Sequence, residues 1–168
     1  MLTSFLAIIN FIFFSKNAIF KNSGRLSALV FNNYMKGYNN NIEKLTLINT
    51  NFREVLYTGH HAQLVLMSLK PGEEIGAEVH EEIDQFFRFE AGEGKVIVDD
   101  NEYLVSAGSA VIVPSGANHN VINTSETEDL KLYTLYSPAG HKEGIIQATK
   151  EEAEARHAQE QFDGQTTE

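Results

Sequence analysis

The sequence contains no cysteine. That absence excludes a disulfide framework, a thiolate zinc site and a cysteine nucleophile. It fits a reducing compartment, so a cytoplasmic location is the expectation. Clusters of lysine and arginine are missing too: 13 basic residues stand against 23 acidic ones, for a formal net charge of −10. A nucleic-acid partner requires a basic stripe to neutralise phosphates, and none is expected here. An acidic surface serves solubility and leaves a cavity able to attract a cation. No G-x-S-x-G elbow, phosphate-binding loop or dinucleotide fingerprint occurs, so hydrolase-triad and nucleotide chemistry lack support.

Residues 1–34 contain no acid at all, the first being Glu43, and they hold six of the eleven phenylalanines. The apolar run from Leu2 to Phe14 is 13 residues and is interrupted by Thr3, Ser4 and Asn10. A bilayer crossing needs about 20 apolar residues, so no stable membrane span is expected. The length suits a signal-peptide core, yet no positive residue precedes it and no A-x-A site follows. A transit peptide would share the lack of acids but would carry more than the single Arg25. The leading reading is an extension outside the fold, with Met35 as a natural start; a signal or anchor and a transit peptide are the alternatives. We therefore expect an extension at 1–34, a domain at 35–148, and a C-terminal helix and tail at 149–168.

What is present is an ordinary globular balance, 42% hydrophobic and 21% charged residues in 168, enough for one domain with a sizeable core. From residue 35 onward, short runs rich in β-branched and aromatic residues predict strands over 54–58, 61–69, 75–80, 85–90, 95–99, 102–105, 110–113, 119–123 and 130–136. Turn residues separate them, as at Lys70-Pro71-Gly72, Ala91-Gly92-Glu93-Gly94 and Pro114-Ser115-Gly116. Many short strands at this spacing mean a sandwich or barrel rather than βαβ units. Residues 149–160 read as one helix capped by Thr149, with Glu152 completing a capping box. The tail beyond Phe162 reads as frayed.

Chemistry-bearing residues concentrate on three of these runs. Glu78 and His80 are two apart and share one strand face. Gln85 shares a face with Phe87 and Phe89, and His119 with Val121 and Asn123. If the sheet closes, one carboxylate, two imidazoles and an amide oxygen can converge. A divalent cation would satisfy all of them at once. Two histidines with one carboxylate suit non-haem Fe(II), and Mn or Zn are also compatible. His60 and His61 point to opposite faces and read as surface residues, as do Arg88 and His157. His141 stands in a loop that could fold over a barrel mouth, although loop histidines are usually exposed.

The spacing resembles the two motifs of the cupin superfamily. Gly108, Pro114, Gly116, His119 and Asn123 reproduce the second motif, G-x5-P-x-G-x2-H-x3-N. The first motif is matched with departures. After Gly72, Glu78 stands where the first histidine would be, His80 matches the second, and Gln85, with six residues between it and Gly92, replaces the glutamate. The flanking sequence is similar to small prokaryotic cupins labelled mannose-6-phosphate isomerase-like. The resemblance implies an all-β, single-domain cupin β-barrel (double-stranded β-helix or jelly roll) with a short C-terminal helix. It implies one divalent metal ion (Fe, Mn, Zn or Ni) held by Glu78, His80, Gln85 and His119, with Asp84 the alternative to Gln85. The expected activity is that of an isomerase or lyase acting on a small sugar or keto-acid-like molecule, with Glu78 as the catalytic proton carrier. An Fe(II) dioxygenase and a non-catalytic cupin that binds a small ligand or metal are the alternatives, and a homodimer is expected.

Overall fold

The computed structural model describes residues 36–168, so the expected extension at 1–34 lies outside the described residues. The described chain forms ten strands and two helices. The strands are β1 (Arg53–Thr58), β2 (Gln63–Leu69), β3 (Glu78–Val79), β4 (Asp84–Ala91), β5 (Glu93–Val98), β6 (Asn101–Ser106), β7 (Ala110–Val113), β8 (Asn118–Asn123), β9 (Leu130–Ser137) and β10 (Ile146–Gln147). Helix α1 (Ile42–Ile48) precedes them and α2 (Lys150–Arg156) follows. All ladders are antiparallel, in a six-stranded sheet ordered β10-β1-β2-β9-β4-β7 and a four-stranded sheet ordered β3-β8-β5-β6. This is the jelly-roll architecture the sequence predicts.

Alternation along the strands decides which side chains meet between the sheets. In β4, Gln85, Phe87 and Phe89 are buried while Phe86 and Arg88 stay half-exposed. In β5, Val96 and Val98 point inward, and Val121 of β8 faces Val96 across the ladder. With Val65, Met67, Leu69, Leu130 and Leu132 they form one core cluster. Each fully buried side chain of this kind contributes about 1.5–3 kcal/mol through lost water contact. The core therefore holds the barrel without a staple.

Several elements differ from the sequence expectation. Helix α1 was not anticipated: Asn41 caps it by accepting from the Lys44 N–H at 2.9 Å, and only Thr46 is buried. Strand β10 is two residues long and adds an edge beside β1. The strand expected over 75–80 contracts to Glu78–Val79, with one isolated bridge from Glu74 to Ile122. Helix α2 ends at Arg156 rather than at 160. Its cap also departs: Thr149 accepts from the Glu152 N–H, but the Glu152 carboxylate reaches the Ala148 N–H instead of closing the box. The tail is not frayed, since the Thr167 N–H donates to the Thr58 carbonyl and the Tyr57 hydroxyl donates to Glu168. Among the described residues no helix is long and apolar enough to cross a membrane.

Candidate metal centre

The candidate centre forms where the short β3 lies against β8. Glu78 and His119 are paired directly across this ladder, so their side chains leave the same face. His80 follows two residues later on the same side. The turn before β8 places His119. Gly116 has φ 81°, a region open mainly to glycine, and its N–H donates to the His80 carbonyl at 2.8 Å. The Ser115 N–H donates to the Asp84 carboxylate at 2.9 Å. Asp84 is exposed and holds this turn from outside, while Gln85 beside it is 1% exposed.

Four donor atoms converge. Glu78 Oε1 lies 3.3 Å from His80 Nε2 and 3.5 Å from His119 Nε2. Gln85 Oε1 lies 3.0 Å from His119 Nε2. The ligating atoms of Glu78, His80 and His119 all fall within 4.8 Å of one another. Behind them, Gln85 Nε2 donates to the Thr134 hydroxyl at 3.1 Å, which fixes the amide oxygen toward the cluster. His119 Nδ1 lies 3.2 Å from the Ala117 carbonyl, an arrangement in which only an N–H is favourable. A neutral His119 so held turns the lone pair of Nε2 toward two oxygens that are themselves acceptors.

That crowding of lone pairs is the physical argument for a cation. Glu78 Oε1 and His80 Nε2 are buried without a hydrogen-bond partner, although buried polar atoms are nearly always satisfied. Ligands bound about 2.1 Å from one ion lie about 3 Å apart when adjacent, close to the spacings seen. Orientation of a metal-binding histidine by a backbone carbonyl on its other nitrogen is a common supporting contact. Burial pushes the Glu78 carboxyl up, but His119 and His80 outweigh it and hold the group well below the usual carboxylate range. The residues present therefore fit a divalent ion, with Glu78, His80 and His119 able to hold it and the Gln85 oxygen the fourth donor.

Aromatic rings enclose the cluster. Tyr136 meets His80 edge-on at 5.7 Å between centroids, and Phe87 lies 6.1 Å from His119. His141 corrects the expectation of an exposed loop histidine: it is 5% exposed and stacks edge-on against Tyr136 at 4.9 Å. Burial, with the Arg53 charge adding to it, holds its pKa well below the ordinary imidazole value. His157 is exposed, as expected, yet it borders a cavity of about 280 Å³. Arg53 and Glu78 line that cavity from the barrel, Lys150, Ala153 and Glu154 line it from α2, and His157 lines it from the C-cap. His60 and His61 are exposed and Arg88 is half-exposed, away from this cluster. Sequence reasoning missed Arg53, Thr134 and Tyr136. The alternation of β9 marks Thr134 and Tyr136 as inward, whereas a lone arginine at a strand start carries no signal of burial.

The motif residues that do not touch the cluster support it. Asn123 Nδ2 donates to the carbonyls of Leu69, Lys70 and Glu128, and its Oδ1 accepts from the Ser125 N–H. At Gly92 an added Cβ would fall 2.5 Å from the Asp129 carbonyl oxygen, so no other residue fits.

Comparison with known proteins agrees with this architecture. The chain is 46% identical over 121 residues to the YrkC protein of Bacillus subtilis, covering 68% of this chain and 64% of that protein. It is 43% identical over 109 residues to the L612 protein of Acanthamoeba polyphaga mimivirus, covering 63% of this chain and 68% of the viral protein. The chain thus spans just under two thirds of YrkC. The crystal structure of BH2720 from Bacillus halodurans superposes with a TM-score of 0.70 at 39% identity, over 73% of this chain and 97% of that one. The pattern of the Cupin domain matches residues 65–136, which run from β2 to β9 and include all four candidate ligands. With two antiparallel sheets closed around these residues, the chain belongs to the cupin superfamily.

Proposed function

We propose that this cupin is a metal-dependent isomerase or lyase acting on a small sugar or keto-acid-like molecule, with Glu78, His80, Gln85 and His119 holding one divalent ion. The observation that carries the reading is the position of Glu78. Its Oε1 faces the two imidazoles, and the same side chain lines the cavity. One carboxylate thus has an oxygen for the cluster and a second, Oε2, for a proton. Lewis acidity toward a carbonyl oxygen is what a bound divalent ion supplies in such a site. Glu78 Oε2 takes the proton from the carbon next to that carbonyl and returns it to the neighbouring atom. Phe87 and Tyr136, both buried beside the cluster, form its apolar wall. The reading includes a cytoplasmic homodimer, for which exposed Leu104 and Ile112 supply apolar area.

The test is proton exchange. Metal-loaded protein is incubated in heavy water with small aldoses and 2-oxo acids, and loss of the C–H signal is followed by NMR. Exchange that disappears in Glu78→Gln supports the proposal. Oxygen consumption without exchange would mean a dioxygenase, and neither would mean a binding module; both outcomes overturn it.

A further inference from the structure

Arg53 is the inward residue at the start of β1, and it is 5% exposed. One of its nitrogens, Nη1, donates to Gln147 Oε1 at 2.9 Å, and its Nε is buried with no partner. Its guanidinium sits 5.5 Å from the Phe52 ring centroid, a weak offset to burial. Among the described residues, no carboxylate lies within ion-pair distance of Arg53. A charge buried this way costs several kcal/mol unless an anion or a full set of acceptors answers it. Its other polar neighbour is the Tyr136 hydroxyl, a neutral group, so among the described residues the charge has no counter-ion.

Its setting is built rather than incidental. Gln147, which accepts from Arg53, is held in turn by Glu160, so the guanidinium is fixed by a relay of side chains. Arg53 and Glu78 line the same cavity, which puts a fixed cation beside the candidate metal centre. At about 30 Å³ per water-sized group, the cavity admits a molecule of roughly nine heavy atoms. A planar guanidinium fork matches a carboxylate better than any neutral group.

We propose that Arg53 anchors the carboxylate of a small organic acid in this cavity, next to the Glu78–His80–His119 cluster. As a substrate site it rests on the function proposed above; as a binding site it is tested without it. The acid's carboxylate takes the free Nε–H and a neighbouring N–H of Arg53, and the rest of the molecule extends toward Glu78.

The experiment is calorimetric titration of the full chain, both chelator-treated and metal-loaded, with pyruvate and lactate, their uncharged amides, and inorganic phosphate. We expect the acids to bind in both forms and the amides to bind at least ten-fold more weakly. Arg53→Gln should weaken the acids about 10- to 100-fold while its melting temperature stays within a few degrees of the native value. Equal binding of acids and amides, absence of acid binding, unchanged acid binding in Arg53→Gln, or tighter binding of phosphate would each overturn the proposal. If Arg53→Gln does not fold, the acid–amide difference on the native chain decides, together with its weakening in Gln147→Leu. Acid binding by Arg53 in a chain that takes up no metal would keep this site and remove the proposed function. Metal uptake without acid binding would do the reverse.

Discussion

Gln85 and Thr134 sit on adjacent strands with their side chains joined at 3.1 Å, and that bond aims the Gln85 oxygen at His119 Nε2. A neutral amide is a weak ligand, so its orientation has to be supplied by a neighbour. We expect Gln85→Ala to weaken metal binding about 10- to 100-fold, and Gln85→Glu to strengthen it by adding charge. Asp84→Asn should change it little, because an asparagine oxygen can still accept from the Ser115 N–H. Titration of the three variants with one metal measures this, and a reversed order would redraw the ligand set.

His80→Ala and His119→Ala should each remove most of about one divalent ion per chain while the far-ultraviolet spectrum stays that of the barrel. The apolar core does not need the metal to fold, unlike a zinc finger. In the native chain, metal at 100 times its Kd should stabilise by about 2.7 kcal/mol. Elemental analysis and thermal melts read both, and full metal content in the double variant would place the ion elsewhere.

Asn123→Ala should lower stability by about 2–4 kcal/mol without changing metal content, because the Leu69 and Glu128 carbonyls lose a donor and the Ser125 N–H loses its acceptor. Urea denaturation gives the first quantity and elemental analysis the second. Loss of metal at full stability would make Asn123 a part of the site instead of its support.

Acid sensitivity should trace to His141. Its folded-state pKa is depressed chiefly by burial, and Arg53, His80, His157 and Glu78 are the charged or titratable groups that bear on it. The unfolded chain therefore takes the proton first. The stability from neutral His141 is fully present above the unfolded value of about 6.5 and is lost as pH falls toward the folded value. The slope is at most about 1.4 kcal/mol per pH unit for one proton. His141→Gln should flatten the curve between pH 6.5 and 5 in metal-free protein, and an unchanged curve would assign the effect to another group.

Much of the barrel is legible in the sequence because its strands alternate cleanly. Gln85, Phe87 and Phe89 read as one face, and all three are buried. The turn around Gly116 reads from its proline and glycine, and its hydrogen bonds to His80 and Asp84 explain why that order of residues is needed. The rest depends on contacts far along the chain. Helix α1 has seven residues with only one buried, too short to show a period. Strand β10 exists only through its pairing with β1. Arg53 and His141 are polar residues whose burial comes from packing 94 residues away or across a loop, as the Arg53–Gln147 contact shows. Their local sequence says surface; the closed fold makes them interior.

The cavity beside Glu78 draws half of its lining from α2 and its C-cap, and this wall is unlike the others. A helix of seven residues is far below the length that holds itself in water, and only Ala153 is buried in it. It therefore opens at a lower free energy than the strands it leans on. Substitutions on the solvent side of α2 should therefore change how long a guest stays in the cavity more than how tightly it is held.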